Sequence, residues 1–263
     1  PDAFIPVAEE SDLIVKLGSY VLMRAAHTAA RWHKELPRAE HPLFVSVNIS
    51  SRQLFRQDLI QEIRHIVGQA VVPPGALRLE ITESLVLQNP EQATDMLEML
   101  RGAGAELALD DFGTGYSSLA YLQRFPVNSI KIDRSLVQSS ASGDGSGSAI
   151  VRSMVALAHE LGKTVVAEGV ERPDDVSFLR SIGCEYAQGF YYGEPMRDRD
   201  VIQLLRIVRK TERKIDGRNF FRSKSKKGAK EGVAKEVEEK AAATSPSRQP
   251  PRRKNAKPAV KST

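Results

Sequence analysis

The stretch "LALDDFGTGYSSLAYL", residues 107–122, ends an apolar run on two adjacent carboxylates, Asp110 and Asp111, and follows them with a loop that carries Gly113 and Gly115. Two neighbouring carboxylates repel each other and resist leaving water. A buried strand that finishes on such a pair, with a pliable turn behind it, implies a cation held between the two acids.

Five more runs read as strands that finish on polar groups. The candidates are "LFVSVNI" (43–49), "LRLEIT" (77–82), "ELALDDF" (106–112), "SIKID" (129–133), "TVVAEG" (164–169) and "YAQGF" (186–190), each bounded by Gly, Pro or polar residues. The segments between them carry helical stripes. Ile14, Leu17 and Val21 share one face, as do Leu59, Ile63, Ile66 and Val67. Asn89, Pro90 and Glu91 read as a helix start ahead of Ala93, Met96, Leu97 and Leu100. Further stripes are Ile150, Met154, Leu157, Ala158 and Leu161, closed by Gly162, then Pro173, Val176, Leu179 and Ile182, then Val201, Leu204, Leu205 and Val208. Strand–helix alternation over about 220 residues implies a parallel sheet, closed as an eight-stranded barrel or open and doubly wound. No GxGxxG follows any candidate strand, and the glycines of "SGDGSGS" (142–148) lack the GK[ST] of a phosphate loop, so they are expected to form a flexible connection.

The strand ends define a site. Asn48 closes "VSVN", Glu80 closes "LRLE", Asp110 and Asp111 close "LALDD", Lys131 lies in "SIKID", Glu168 closes "VVAE" and Gln188 lies in "YAQGF". In a parallel barrel all strand C-termini open on one face, so these scattered residues are expected to converge on one mouth. Four carboxylates and an amide oxygen are hard donors suited to Mg²⁺ or Mn²⁺. Paired carboxylates can hold two such ions about 3.5–4 Å apart, an arrangement that serves phosphodiester cleavage. Lys131 at the same level could stabilise charge developing on a phosphoryl group or serve as a counter-ion. The five histidines show no ligand spacing and read as surface or packing residues.

Composition narrows the class. The chain has 263 residues, 41% hydrophobic and 27% charged, and no run approaches the roughly 18 apolar residues of a membrane span. The opening "PDAFIPVAEE" has neither a basic nor an apolar region of the kind a secretion signal needs. A single cysteine, Cys184, excludes an intrachain disulfide and fits a cytoplasmic setting. The net charge of +5 resides in the tail: residues 223–263 hold 12 Lys/Arg against 4 Asp/Glu, whereas residues 1–222 hold 26 against 29. That tail, rich in Lys, Ala, Pro and Ser, is expected to be disordered. Its "PPRRKNAK" could touch an anionic membrane or nucleic acid.

Together, "FIPVAEE", "VNISSRQL", "LEITES", "LALDDFGTGYSSLAYLQRFPVNSIKIDRS", "VVAEGVE" and "CEYAQGFYYGEP" resemble the EAL-domain family, the cyclic di-GMP phosphodiesterases of bacterial signalling. The resemblance implies a modified (β/α)₈ TIM-like barrel with one strand reversed, over about residues 1–215. It implies hydrolysis of cyclic di-GMP to linear pGpG with two Mg²⁺ or Mn²⁺ ions. Carried over residue by residue, Asn48, Glu80, Asp110, Asp111 and Glu168 are metal ligands, and Lys131 and Gln188, with Asp111 and Glu168, serve catalysis. Glu83 and Glu171 anchor the loop over the site, and the Asp111–Ser118 loop contributes to a homodimer. The Glu-Ala-Leu motif that names the family would precede "FIP" by about ten residues and is not in this sequence, so the first barrel strand and one ligand are expected to be missing. An inactive cyclic di-GMP receptor or interaction module is the alternative.

Overall fold

A computed structural model describes residues 1, 3–36, 43–114, 119–140 and 146–216. The order of elements is α1 (Ile5–Glu10), α2 (Leu13–Glu35), β1 (Val45–Asn48), α3 (Ser51–Leu54), α4 (Leu59–Ala70), β2 (Leu77–Thr82), α5 (Glu83–Gln88), α6 (Pro90–Gly102), β3 (Glu106–Phe112), α7 (Leu119–Arg124), β4 (Ser129–Ile132), α8 (Arg134–Ser139), α9 (Ser146–Glu160), β5 (Thr164–Ala167), α10 (Pro173–Ser181), β6 (Tyr186–Ala187) and α11 (Asp198–Asp216). Residues 1–209 form one compact unit, and of the second, from Lys210 on, only the end of α11 is described. The tail at 223–263 lies outside the described residues.

All six expected strands are present. They form one sheet in sequential order β1 to β6, with every pair parallel. The reversed strand of the family pattern is not among the described residues. Parallel neighbours need a crossover, and helices supply it on the outer face, while the curl of the sheet closes its inner face. This is why β2 is buried throughout its first five residues although its sequence alternates apolar and charged groups. Leu77, Leu79 and Ile81 join the main apolar core with residues of α2, α4 and α6. Arg78 and Glu80 face the other way.

Register assigns that second face. Ser46 pairs with Arg78 and Asn48 with Glu80, Glu80 with Ala108, Ala108 with Ser129, Ser129 with Thr164, and Val166 with Tyr186. With side chains alternating along each strand, these residues share the inner surface. The sheet curls around it: the rings of Phe44, just before β1, and Tyr186, in β6, meet edge to face with centroids 5.5 Å apart. The result is a six-stranded half-barrel.

Expectations shift in detail, with β1, β4 and β5 shorter than their apolar runs. The connection at 142–148 is shorter than expected, because α9 begins at Ser146, and residues 141–145 lie outside the described set. Gly147 makes this early start possible, since a Cβ there would sit 2.6 Å from the Ser139 carbonyl oxygen. The last strand narrows to Tyr186–Ala187.

Candidate active site

Strand register carries the chemistry to one end of the half-barrel. Lys131, near the end of β4 and 4% exposed, is the hub. Its Nζ lies 2.7 Å from Glu80 Oε2, 2.9 Å from Asp110 Oδ1 and 2.7 Å from Glu168 Oε1. Burial works against the ammonium, but the surrounding Glu80, Asp110 and Glu168 carboxylates outweigh it and hold the lysine charged well above its ordinary range.

Two consecutive residues of a regular strand point to opposite faces, so Asp110 and Asp111 should not both reach the mouth. They do so because β3 is irregular there. Its register against β4 shifts between Leu109 and Phe112, and Asp111 adopts φ 54° in the left-handed region. Such a bulge re-aims a side chain, and Asp tolerates this backbone better than most residues. The Asp111 N–H donates to Asp110 Oδ1 at 3.0 Å, which steadies the turn. Carboxylate oxygens of Asp110, Asp111 and Glu168 consequently lie within 4.8 Å of one another.

The electrostatics record the crowding. Burial pushes the Asp111 carboxyl up, with Asp110 and Asp133 adding to the effect and Lys131 opposing it. Glu168 is also pushed up by burial, against the pull of Lys131. Four carboxylates (Glu80, Asp110, Asp111 and Glu168) surround one ammonium, so the mouth carries a formal excess of three negative charges when all are ionised. A hard-oxygen donor set with that excess fits divalent cations of the Mg²⁺ or Mn²⁺ type. Among the described residues no histidine or cysteine belongs to the cluster. His27 and His33 instead bond the Met23 and Leu43 carbonyls, and His159 pairs with Glu185 at 2.9 Å.

The remaining candidates fall at the rim or behind it. Asn48 ends β1 beside Glu80, and Gln188 directly follows β6; both are exposed. Glu83, 5% exposed at the start of α5, accepts a hydrogen bond from the Gly113 N–H at 3.1 Å through Oε2. This ties the turn after Asp111 to the end of β2. Gly113 has φ 95°, where an L side chain is strained, and a Cβ there would also require the ends of the Met154 and Leu136 side chains, 2.2 and 2.7 Å away, to move. Glu171 stands outside the carboxylate cluster; its Oε1 accepts from Gln138 Nε2 at 3.1 Å and links the segment after β5 to α8. Residues 115–118, within the expected dimer loop, lie outside the described residues.

Asp133 is the site neighbour that strand-end reading passed over. It caps α8 by accepting from the Ser135 N–H at 2.9 Å, and its charge raises Asp111. The signal was available in "KID", where Asp133 lies two residues beyond Lys131 and so on the same strand face.

Comparison with known proteins agrees with this geometry. The EAL domain family matches residues 1–195. The cyclic di-GMP phosphodiesterase NbdA of Pseudomonas aeruginosa is 38% identical over 209 residues, 80% of this chain and 26% of that protein. The cyclic di-GMP phosphodiesterase PdeR of Escherichia coli is 38% identical over 196 residues, 74% of this chain and 29% of that protein. A solved structure described as the PaMucR phosphodiesterase in complex with c-di-GMP superposes with a TM-score of 0.72 at 36% identity, covering 76% of this chain and 80% of that one. The chain spans about a quarter of the length of the curated relatives it matches. With a parallel half-barrel whose strand ends gather Glu80, Asp110, Asp111, Lys131 and Glu168, and with that match over residues 1–195, the chain belongs to the EAL domain family.

Proposed function

We propose that this chain carries the hydrolytic site for cyclic di-GMP and opens it to linear pGpG. The observation that carries the reading is the convergence of Asp110, Asp111 and Glu168 oxygens within 4.8 Å beside a lysine that also grips Glu80. Asn48, Glu80, Asp110, Asp111 and Glu168 are the residues that would hold two Mg²⁺ or Mn²⁺ ions. Those ions, when bound, supply positive charge against the phosphodiester and lower the pKa of water.

The chain's own groups do the rest. One P–O bond forms from water and one ring P–O3′ ester breaks, so the product is a linear dinucleotide with a terminal phosphate. Lys131, fixed in place by three carboxylates, presents a charge that need not reorganise as negative charge grows on the phosphoryl oxygens. Gln188 at the rim orients water or substrate. Glu83 holds the Gly113 turn and thereby the backbone of Asp111.

The test is chromatographic detection of pGpG from cyclic di-GMP with Mn²⁺ or Mg²⁺. Glu80→Gln keeps the shape and an acceptor for Lys131 yet removes a charge, and it should lower turnover by at least about 100-fold. Undiminished turnover in that variant would refute the assigned site.

One observation favours a second reading. Lys131 already neutralises part of the carboxylate set without any cation, so a folded, metal-free mouth is electrostatically tolerable. A receptor that binds cyclic di-GMP without cleaving it would show metal-independent binding by calorimetry and no product.

A further inference from the structure

The inner surface of the half-barrel has a second charged layer beneath the mouth. Arg78 lies two residues before Glu80 on the same face of β2 and is 5% exposed. Its Nη2 donates to Glu106 Oε2 at 2.9 Å. Its guanidinium carbon stands 3.9 Å from the centre of the Phe44 ring and 5.9 Å from that of Tyr186. Nε and Nη1 are buried and bond no described group, so the guanidinium is held as much by ring faces as by hydrogen bonds. Phe44 directly precedes β1 and Tyr186 lies in β6, the two strands at opposite ends of the sheet, which share no ladder among the described residues. The β6 ladder itself has two pairs, Val166 with Tyr186 and Ala167 with Ala187. The edge-to-face rings and the cation beside them are thus a direct side-chain connection across the curl.

We propose that Arg78 is a positioning residue for the mouth: by clamping Phe44 and Tyr186 it sets where the ends of β1 and β6 present Asn48 and Gln188. This rests on reading the mouth as the site of phosphodiester cleavage. The coupling path is short. Phe44 and Asn48 share a face four residues apart, and Tyr186 and Gln188 share one two residues apart. A ring that shifts carries its rim residue with it along extended backbone. A planar guanidinium can lie against an aromatic face and still reach a carboxylate, which an ammonium does less well.

The inference is tested with Arg78→Met, Arg78→Lys and Tyr186→Leu, alongside Leu97→Ala, which loosens α6 away from the inner surface. The Gln188 N–H donates to the Ala167 carbonyl at 2.8 Å, and the Val170 N–H to the Gln188 carbonyl at 3.0 Å. In Arg78→Met, amide exchange at Gln188 and Val170 should quicken about tenfold relative to β3, and kcat with Mn²⁺ should fall about tenfold with KM nearly unchanged. Tyr186→Leu should reproduce both effects, and Arg78→Lys should restore neither fully. Leu97→Ala should lower the thermal midpoint while leaving kcat within about twofold. A folded Arg78→Met protein with wild-type exchange and kcat overturns the inference. If that variant does not fold, Tyr186→Leu decides by the same two readouts. If the wild-type chain yields no pGpG, the proposed function fails on its own, and exchange at Gln188 and Val170 decides the positioning role.

Discussion

Lys131 and Lys163 are both buried lysines, 4% and 8% exposed, at opposite ends of the neighbouring strands β4 and β5. Lys131 sits at the mouth, where three carboxylates hold it charged. Lys163 precedes β5 and donates to the Phe125 and Val127 carbonyls at 2.9 and 3.1 Å. Burial, with a smaller push from Arg101, lowers its pKa. The same side chain at the same depth is thus driven in opposite directions. Burial alone favours the neutral form; at Lys131 the carboxylates override it, and at Lys163, which has two backbone carbonyls as its partners, burial prevails. One end of the half-barrel therefore concentrates charges that depend on one another, while the other satisfies its lysine with backbone dipoles.

The sharpest way to break the contrast is to neutralise each lysine. Lys131→Met strands two buried carboxylates and the half-buried Glu168, and should destabilise the chelated protein by about 3–5 kcal/mol in urea unfolding. Added Mn²⁺ should recover part of that loss, because a cation replaces the missing charge. Lys163→Met removes two hydrogen bonds to carbonyls and strands no formal charge, so about 1–3 kcal/mol is expected and Mn²⁺ should not restore it. Equal losses in the two variants, with equal metal response, would dissolve the distinction.

A smaller effect sharpens it. Asp111 has its pKa raised by burial and by Asp110, so its ionised form opposes the fold. A carboxyl of this kind favours folding below its unfolded pKa, and that contribution is lost as pH rises through the raised folded value. Asp111→Asn, which tolerates the same left-handed backbone, should therefore raise the thermal midpoint of the chelated protein at pH 7.5. The gain should shrink as pH is lowered through the carboxylate range, and Mn²⁺ should reverse its sign. A midpoint lowered at pH 7.5 under chelation would contradict the crowding.

Cys184 should show the least change. Burial pushes its thiol up to about 11, as burial without a charged partner pushes Lys163 toward neutrality. Its labelling by iodoacetamide in the folded protein at pH 8 should be at least about tenfold slower than in the unfolded chain. Comparable rates would mean that the thiol is neither buried nor neutral.

Much of this was legible beforehand. Six apolar runs with turn residues at their ends gave six strands, and β2 and β3 occupy the expected residues. Their last polar residues marked the mouth, because a parallel arrangement puts every strand end on one side. Short elements were not legible: α3 (Ser51–Leu54) and α5 (Glu83–Gln88) span too few residues to display a stripe. "YAQGF" shrank to a two-residue strand because Gly189 brings its backbone against Val170, where a Cβ would lie 2.1 Å from the carbonyl oxygen. Alternating side chains offered no route for Asp110 and Asp111 to share a mouth; the bulge that permits it is a φ value at one residue.

Local pattern by itself determined the strand–helix alternation, the parallel sheet and the hard-oxygen character of the strand ends, since period, turn residues and strand-end carboxylates are properties of neighbouring residues. Tertiary structure alone decided which charge meets which. Lys131 reaches Glu80 across 51 residues of chain and Glu168 across 37, and Arg78 finds Phe44 and Tyr186 from the two ends of the sheet. Those meetings depend on register, curl and one left-handed residue. The physical reason is that electrostatic energies follow distance in space, which spacing along the chain does not encode.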